Sequence, residues 1–281
     1  VNANDILLTD QVAVVTGGGG GIGRGIALAM ASAGADVVIG EIIPERAEET
    51  ATRVRELGRK ALPVQMDAMD SDQVRGLIDK AASEFGRIDI LVNNAGGVSR
   101  RLFLDQSERS WRRLIDFNLV SMLAAISAAV PVMKAGGRGG SIINVSSIEG
   151  SRAAPQYAVY AACKAAMNNL TRSLALEFGD DGIRINTIAP DHTVTPGIRG
   201  QIKGPVDPST WTKLTPEHEA GLASIIPLGR EGVDSECGDA AVFLASKMAS
   251  YITGVVLPVD GGTYASSGWM RAGERGWVLH D

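Results

Sequence analysis

The chain has 281 residues, 45% of them hydrophobic, and 34 glycines with no three-residue period, which excludes a collagen-like or low-complexity chain and leaves room for a large globular core. A net charge of −5, from 32 acidic and 27 basic residues, gives no basic field to hold a nucleic-acid backbone. Two cysteines, Cys163 and Cys237, are too few for a disulfide framework; with no run of roughly 18 uninterrupted apolar residues and no basic-then-apolar leader, the expectation is a soluble cytoplasmic protein with no membrane partner.

Short β-branched runs alternate with longer segments of helical period, the pattern of repeated βαβ units on a parallel sheet. Strands are predicted at 11–16, 35–40, 61–65, 88–92, 141–146, 183–188 and 254–258, and helices at 23–33, 44–57, 71–85, 111–133, 157–178 and 235–244. Gly34, Gly58, Gly86 and Gly179 fall just past predicted helices, where a left-handed residue closes the last turn. The segment 195–227 holds Pro196, Pro205, Pro208 and Pro216 without sustained periodicity and reads as a partly helical lid. With no repeat or linker, 1–281 reads as one α/β domain, a Rossmann-type doubly wound sheet of seven parallel strands with helices on both faces and a tail at 264–281.

The run Thr16-Gly17-Gly18-Gly19-Gly20-Gly21-Ile22-Gly23 follows the first strand and opens a helix. A pyrophosphate needs a turn without side chains and a helix N-terminus aimed at it, roles that Gly17, Gly21 and Gly23 fit. At the end of the second strand Glu41 offers a carboxylate to ribose hydroxyls and like charge to a 2′-phosphate, so NAD(H) is favoured over NADP(H). Arg24 and Arg46 are the bases that leave NADP(H) open. Tyr160 and Lys164, four residues apart, share a helix face; an ammonium there favours phenolate and brings a proton acceptor toward working pH.

With these motifs in order, T-G-x-x-x-G-I-G at 16–23, N-N-A-G at 93–96, Asn118 in D-F-N-L, and a serine ahead of Tyr160-x-x-x-Lys164, the chain resembles the short-chain dehydrogenase/reductase family with subunits of about 250 residues, from Val12 to Thr263. The resemblance implies an NAD(P)-dependent enzyme acting on CH–OH. Its serine stands thirteen residues before the tyrosine, which selects Ser147 over Ser146. It further implies that Tyr160 exchanges the proton, Ser147 polarises the substrate oxygen, Lys164 also binds the nicotinamide ribose, and Asn118 holds a water linking the lysine to solvent. Ile22, Asp67, Ala68, Asn94, Ala95, Gly96, Pro190, Thr193 and Thr195 join the glycines and Glu41 as cofactor contacts, and no metal is called for. Asn93 and Asp89 are expected to brace the fold.

One position departs from the family pattern: Asp191 follows Pro190 where the family usually has glycine. His192 beside it reads as a loop histidine with a backbone partner, and Cys163 as a packing residue whose modification would perturb the site. Val98, Glu149, Arg152, Gln156 and Tyr157 are expected at the cleft mouth. On the lid, Ile202, Pro205 and Trp211 suit an apolar substrate, while Arg199, Lys203 and Lys213 are either solvated or face an acidic tail. The expected substrate is an apolar, cyclic or steroid-like secondary alcohol or ketone. A 3-oxoacyl-thioester reductase is the alternative, and a non-catalytic nucleotide-binding scaffold or redox sensor the reading from another class. Trp269 and Trp277 on the tail fit docking on a neighbour, and the resemblance implies a homotetramer.

Overall fold

Seven strands, β1 Val12–Thr16, β2 Asp36–Glu41, β3 Ala61–Gln65, β4 Ile90–Asn93, β5 Gly140–Val145, β6 Ile183–Pro190 and β7 Val256–Val259, form one parallel sheet in the order β3-β2-β1-β4-β5-β6-β7 in the computed structural model, which describes residues 2–279. The order reverses between β1 and β4, the switch point at which such sheets open a crevice at their carboxyl ends. Side chains alternate across the sheet. Val12 and Val14 face a core layer with Leu77 and Ile78, whereas Ala13 and Val15 face a second layer with Ile26, Met30 and Ala241.

Helices cover both faces: α1 Gly21–Ser32, α2 Pro44–Glu56, α3 Ser71–Phe85, α4 Glu108–Ile115, α5 Ser121–Gly136, α6 Ala158–Glu177, α7 Pro216–Ile225, α8 Asp234–Ala245 and the short α9 Thr263–Ser266. The predicted helix at 111–133 is longer and interrupted. It starts at Glu108 on the Ser107 N-cap and carries a π-turn, Asp116–Val120, between α4 and α5. This run, Glu108–Gly136, is long and apolar enough to cross a membrane by length and composition. Here it packs as a core helix, with Met122, Ala125, Ala129 and Met133 buried against the sheet and Arg109, Arg112 and Arg113 along its outer side.

Gly34, Gly58 and Gly86 adopt positive φ as expected, but Gly179 does not: a 3-10 turn, Gly179–Asp181, intervenes, and Gly182 is the left-handed residue. Helix α1 begins two residues before its predicted start, inside the glycine turn itself. The segment 195–227 is partly helical, with a 3-10 turn Pro208–Thr210 and then α7. Beyond Thr263 the tail folds back as a two-stranded hairpin, Met270–Arg271 with Trp277–Val278, which the sequence pattern did not predict. Arg271 holds it, donating to the Pro227 carbonyl at 2.8 Å and lying over the Trp277 ring. Trp269 and Trp277 stay partly exposed.

Candidate active site

The glycine turn lies at the switch point, latched to β4 by two polar residues. Thr16 Oγ1 accepts from the Asn94 and Ala95 amides, each at 3.1 Å, and Asn94 Nδ2 donates to the carbonyls of Thr16 and Gly17, each at 3.0 Å. Gly17 sits at φ +64°, and a Cβ on Gly23 would stand 2.1 Å from the Gly17 carbonyl oxygen, so the turn closes only with glycine at both places. Gly21, the first residue of α1, packs against Thr195, and Ile22 is half-buried against the core beneath.

No side chain caps the start of α1, whose N-cap is Gly20. An uncapped helix N-terminus under a loop free of side chains is a fit for a pyrophosphate. Glu41, buried at the end of β2, takes part in shaping the turn: its Oε2 accepts from the Gly19 amide at 3.1 Å, and its Oε1 from Ile42 and Ile43 at 2.9 and 3.2 Å. Of the carboxylate's four lone pairs, one on Oε2 is left over. A ribose therefore finds one acceptor directly and a second only by sharing the Gly19 contact.

Both bases near that ribose are engaged elsewhere. Arg24 pairs with Glu49 at 2.6 Å, and Arg46 reaches the lid, donating to the carbonyls of Gly204, Gln201 and Lys203. This second role of Arg46 was invisible in sequence, because its partners lie more than 150 positions away. Asp67, after β3, accepts from the Met69 amide, and Ala68 is buried in the core layer.

At the other side of the switch point, β5 ends in Ser146 and Ser147. Ser146 Oγ donates to the Lys164 carbonyl at 3.2 Å, a strand-end role, while Ser147 Oγ accepts from the Glu149 amide at 3.2 Å and lies near enough to Tyr160 to help hold its phenol down. Tyr160 and Lys164 lie on α6, with Lys164 Nζ 5.6 Å from the centre of the Tyr160 ring and donating to the Val145 carbonyl at 2.8 Å.

Burial dominates both groups. It pushes the Tyr160 phenol up to about 12, opposed by the Ser147 hydrogen bond and reinforced by the Glu149 and Asp191 charges. It pushes the Lys164 ammonium down to about 8. In the protein alone, therefore, the expected lowering of the phenol by the lysine is reversed. Without a further positive charge, desolvation favours neutral forms of both partners.

Asn118 lies in the π-turn, fully buried; its Nδ2 donates to the carbonyls of Gly97 and Leu114, and its Oδ1 accepts from the Gly97 amide. A Cβ on Gly96 would come within 2.7 Å of Asn118 Oδ1 and 3.6 Å of Lys164 Nζ, so Gly96, Asn118 and Lys164 share one spot. Both amide hydrogens are committed to the protein, so the side chain braces the β4 loop against the helix. π-Turns recur at such functional positions because they displace one residue from the helical ladder.

Asn93 braces as expected, donating to Asn144 Oδ1 at 2.8 Å. The chain of bonds continues through Asn144 to Thr171 and Thr187, a buried network that the sequence did not signal. Asp89 accepts from the Val12 amide and from both ends of the Arg87 guanidinium. Cys163 is buried with its Sγ toward the Leu114 carbonyl, the packing position expected of it, and burial pushes its thiol up.

After β6, Pro190 closes the strand and the chain turns sharply, His192 taking φ +35°. Thr193 Oγ1 donates to the Asp191 carbonyl, and Thr195 Oγ1 accepts from the Ile198 amide. His192 has its backbone partner, accepting from the Gly232 amide, while its ring turns to Asp191. Gln156, at φ +71°, accepts from Arg100 and joins the cleft mouth to the loop carrying Val98. On the lid, Arg199 is paired with Glu231, whereas Lys203 and Lys213 are exposed.

The chain matches a family model described as enoyl-(acyl carrier protein) reductase over residues 17–264. Among curated proteins it is 39% identical to a cis-4-hydroxycyclohexanecarboxylate dehydrogenase of Sinomonas cyclohexanicum, over 90% of this chain and 96% of that one. It is 40% identical to a 3-oxoacyl-(acyl-carrier-protein) reductase of Chlamydia muridarum, over 91% and 98%. Among solved structures, a 7α-hydroxysteroid dehydrogenase complexed with NADH and 7-oxo glycochenodeoxycholic acid superposes with a TM-score of 0.85 at 32% identity, covering 93% of this chain and 97% of that one. Motif order, sheet topology and these full-length likenesses agree, and the chain belongs to the short-chain dehydrogenase/reductase family of oxidoreductases.

Proposed function

We propose that the chain interconverts a secondary alcohol and a ketone, using NAD(H) in preference to NADP(H). The observation that carries this reading is the convergence of Tyr160 and Lys164, one helical turn apart on α6 with Lys164 Nζ 5.6 Å from the centre of the Tyr160 ring, with Ser147 at the end of β5. Two hydroxyl groups converging at the end of a parallel sheet, beside a glycine turn fit for a pyrophosphate, suit an oxygen that alternates between carbonyl and alkoxide. Bound nicotinamide supplies the hydride acceptor or donor and, when oxidised, a positive charge.

Tyr160 takes the alcohol proton in oxidation and returns it in reduction, while Ser147 donates to the same oxygen. Lys164 holds the nicotinamide ribose and, together with the oxidised ring's charge, offsets the desolvation that keeps the phenol protonated. Asn118 fixes Gly97 and so the floor beneath Lys164. Gly17, Gly21, Ile22 and Gly23 line the pyrophosphate; Glu41, Asp67, Ala68, Asn94, Ala95 and Gly96 border the adenosine and its ribose; Pro190, Thr193 and Thr195 border the carboxamide. NAD(H) preference is supported by the carboxylate of Glu41 and by the engagement of Arg24 and Arg46 with Glu49 and the lid.

An apolar cyclic substrate is supported by the ring alcohol and the steroid in the names of two similar proteins. A 3-oxoacyl-thioester reductase is the second reading, favoured by the Chlamydia relative and the exposed Lys203 and Lys213. A scaffold without turnover is disfavoured by the complete Asn118, Ser147, Tyr160 and Lys164 set. Assembly into a homotetramer in the cytoplasm is part of the same proposal, supported by exposed Leu176 and Tyr251; a monomer by light scattering contradicts it. The deciding experiment follows nicotinamide absorbance over a panel of cyclic alcohols, steroid ketones and 3-oxoacyl thioesters with each cofactor. Turnover of the cyclic compounds with NAD(H) is expected; turnover of thioesters alone shifts the assignment to the second reading.

A further inference from the structure

The match to the family ends at residue 264, and the chain continues past it into the hairpin of Met270–Arg271 with Trp277–Val278. Nothing in the proposed chemistry uses this tail. Its strands are two residues each, and a two-stranded hairpin is marginal in water on its own. It is fastened through Arg271, whose guanidinium lies 5.4 Å from the centre of the Trp277 ring and whose Nη2 donates to the Pro227 carbonyl at 2.8 Å.

Pro227 is the last residue of the proline-rich segment 195–227, so the tail is anchored on one root of that segment. The same root is held from the β7 side: the Leu228 amide donates to the Gly261 carbonyl at 3.0 Å, and a Cβ on Gly262 would stand 2.9 Å from Pro227 Cγ. The other root lies on the glycine turn. A Cβ on Gly21 would meet Thr195 Cγ2 at 2.9 Å, and one on Gly20 would come within 3.8 Å of Pro196 and Val206. Both roots therefore sit at the carboxyl edge of the sheet, the edge at which Ser147 follows β5.

Between the roots, α7 needs outside support. It has ten residues, of which Leu222 alone is buried while Pro216 to Gly221 are exposed. Helices this short depend on packing for their stability, and the tail strand Met270–Arg271 packs on α7.

We infer that the tail is a strap that holds segment 195–227 over the bound substrate, with Arg271 as its positioning residue. This goes beyond the alcohol–ketone reading above and rests on it for its kinetic readout. A segment closed over a substrate adds contacts remote from the reacting carbon. Slackening the strap therefore weakens substrate binding and leaves the hydride and proton steps alone.

The test compares wild type, Arg271→Ala, Arg271→Lys and Trp277→Ala in two assays. The first is steady-state oxidation of the best alcohol found in the panel above; the second is trypsin cleavage of the intact protein after Lys213, the exposed lysine just ahead of α7, followed by mass spectrometry. Arg271→Ala is expected to raise KM about five- to tenfold with kcat within about twofold of wild type. Cleavage after Lys213 should quicken about tenfold, because local opening governs attack on a folded chain. Arg271→Lys, which keeps a donor for the Pro227 carbonyl and a cation for the ring, should restore both. Trp277→Ala should act in the same direction as Arg271→Ala and more weakly, which keeps the test open if Arg271→Ala fails to fold. Unchanged KM in both Ala variants, or a loss confined to kcat, overturns the inference and leaves the alcohol–ketone reading standing. Unchanged cleavage after Lys213 overturns it as well. Absence of turnover in every protein overturns the alcohol–ketone reading, while the cleavage rates still decide whether the tail straps the segment.

Discussion

At the glycine turn the side chains are tied down around an open helix N-terminus: Thr16 and Asn94 lock the loop to β4, and Glu41 is held by three backbone amides. Beyond β6 the reverse holds, with Asp191 short of a donor and His192 in a disfavoured backbone region. A half with braced side chains and an open helix N-terminus is what a constant ligand such as a dinucleotide needs. The turn after β6, with its strained His192, is where this chain is built differently from the family pattern. The Ser147–Tyr160 pair lies between them, at the ends of elements rooted in the rigid half.

Substitutions at either end sharpen this contrast. Ser147→Ala removes one of the two hydroxyls at the reacting oxygen; kcat is expected to fall by about 10²–10³ in steady-state assays, with cofactor affinity by fluorescence titration unchanged. Gly23→Ala forces a Cβ into the Gly17 carbonyl, and thermal and denaturant melts should show a loss of about 1–3 kcal/mol together with weakened cofactor binding. If the cofactor end were adaptable, that variant would be silent.

Glu41→Ala removes the negative charge facing a 2′-phosphate, so discrimination between NAD and NADP in kcat/KM should drop about tenfold. Unchanged discrimination would place the selectivity elsewhere. Arg46→Ala cuts the tie between α2 and the lid carbonyls at 201–204, and its effect should be the smallest, about two- to threefold and confined to KM.

Much of the rigid half was legible in the sequence. Strands buried on both faces and glycines in fixed order leave local signatures, so β1, the glycine turn and the Tyr160–Lys164 face of α6 fall where periodicity and spacing put them. What stayed hidden depends on partners far along the chain. The residues 116–120 carry the same apolar period as the helix around them, and the backbone bond from the Ser121 amide to the Asp116 carbonyl, five residues back, is what marks the π-turn. Arg46 reads as a candidate phosphate partner until its lid carbonyls are seen. The ion pairs of Asp191 join residues 39 and 1 positions apart, and the tail strands of two residues each are too short for any period to show. Asp191 itself was visible as a departure from glycine; the burial of its carboxylate between Arg152 and His192 was not.

The central claim is that Tyr160 handles the proton, and the pH dependence of alcohol oxidation in wild type and Tyr160→Phe tests it most directly. Burial raises the phenol, so its base form is scarce at neutral pH and grows as pH rises. The wild-type rate should therefore climb with pH, while Tyr160→Phe should be slower by about 10²–10⁴ and lack that climb, with cofactor binding retained. A variant that keeps both the rate and the pH dependence would show that another group carries the proton.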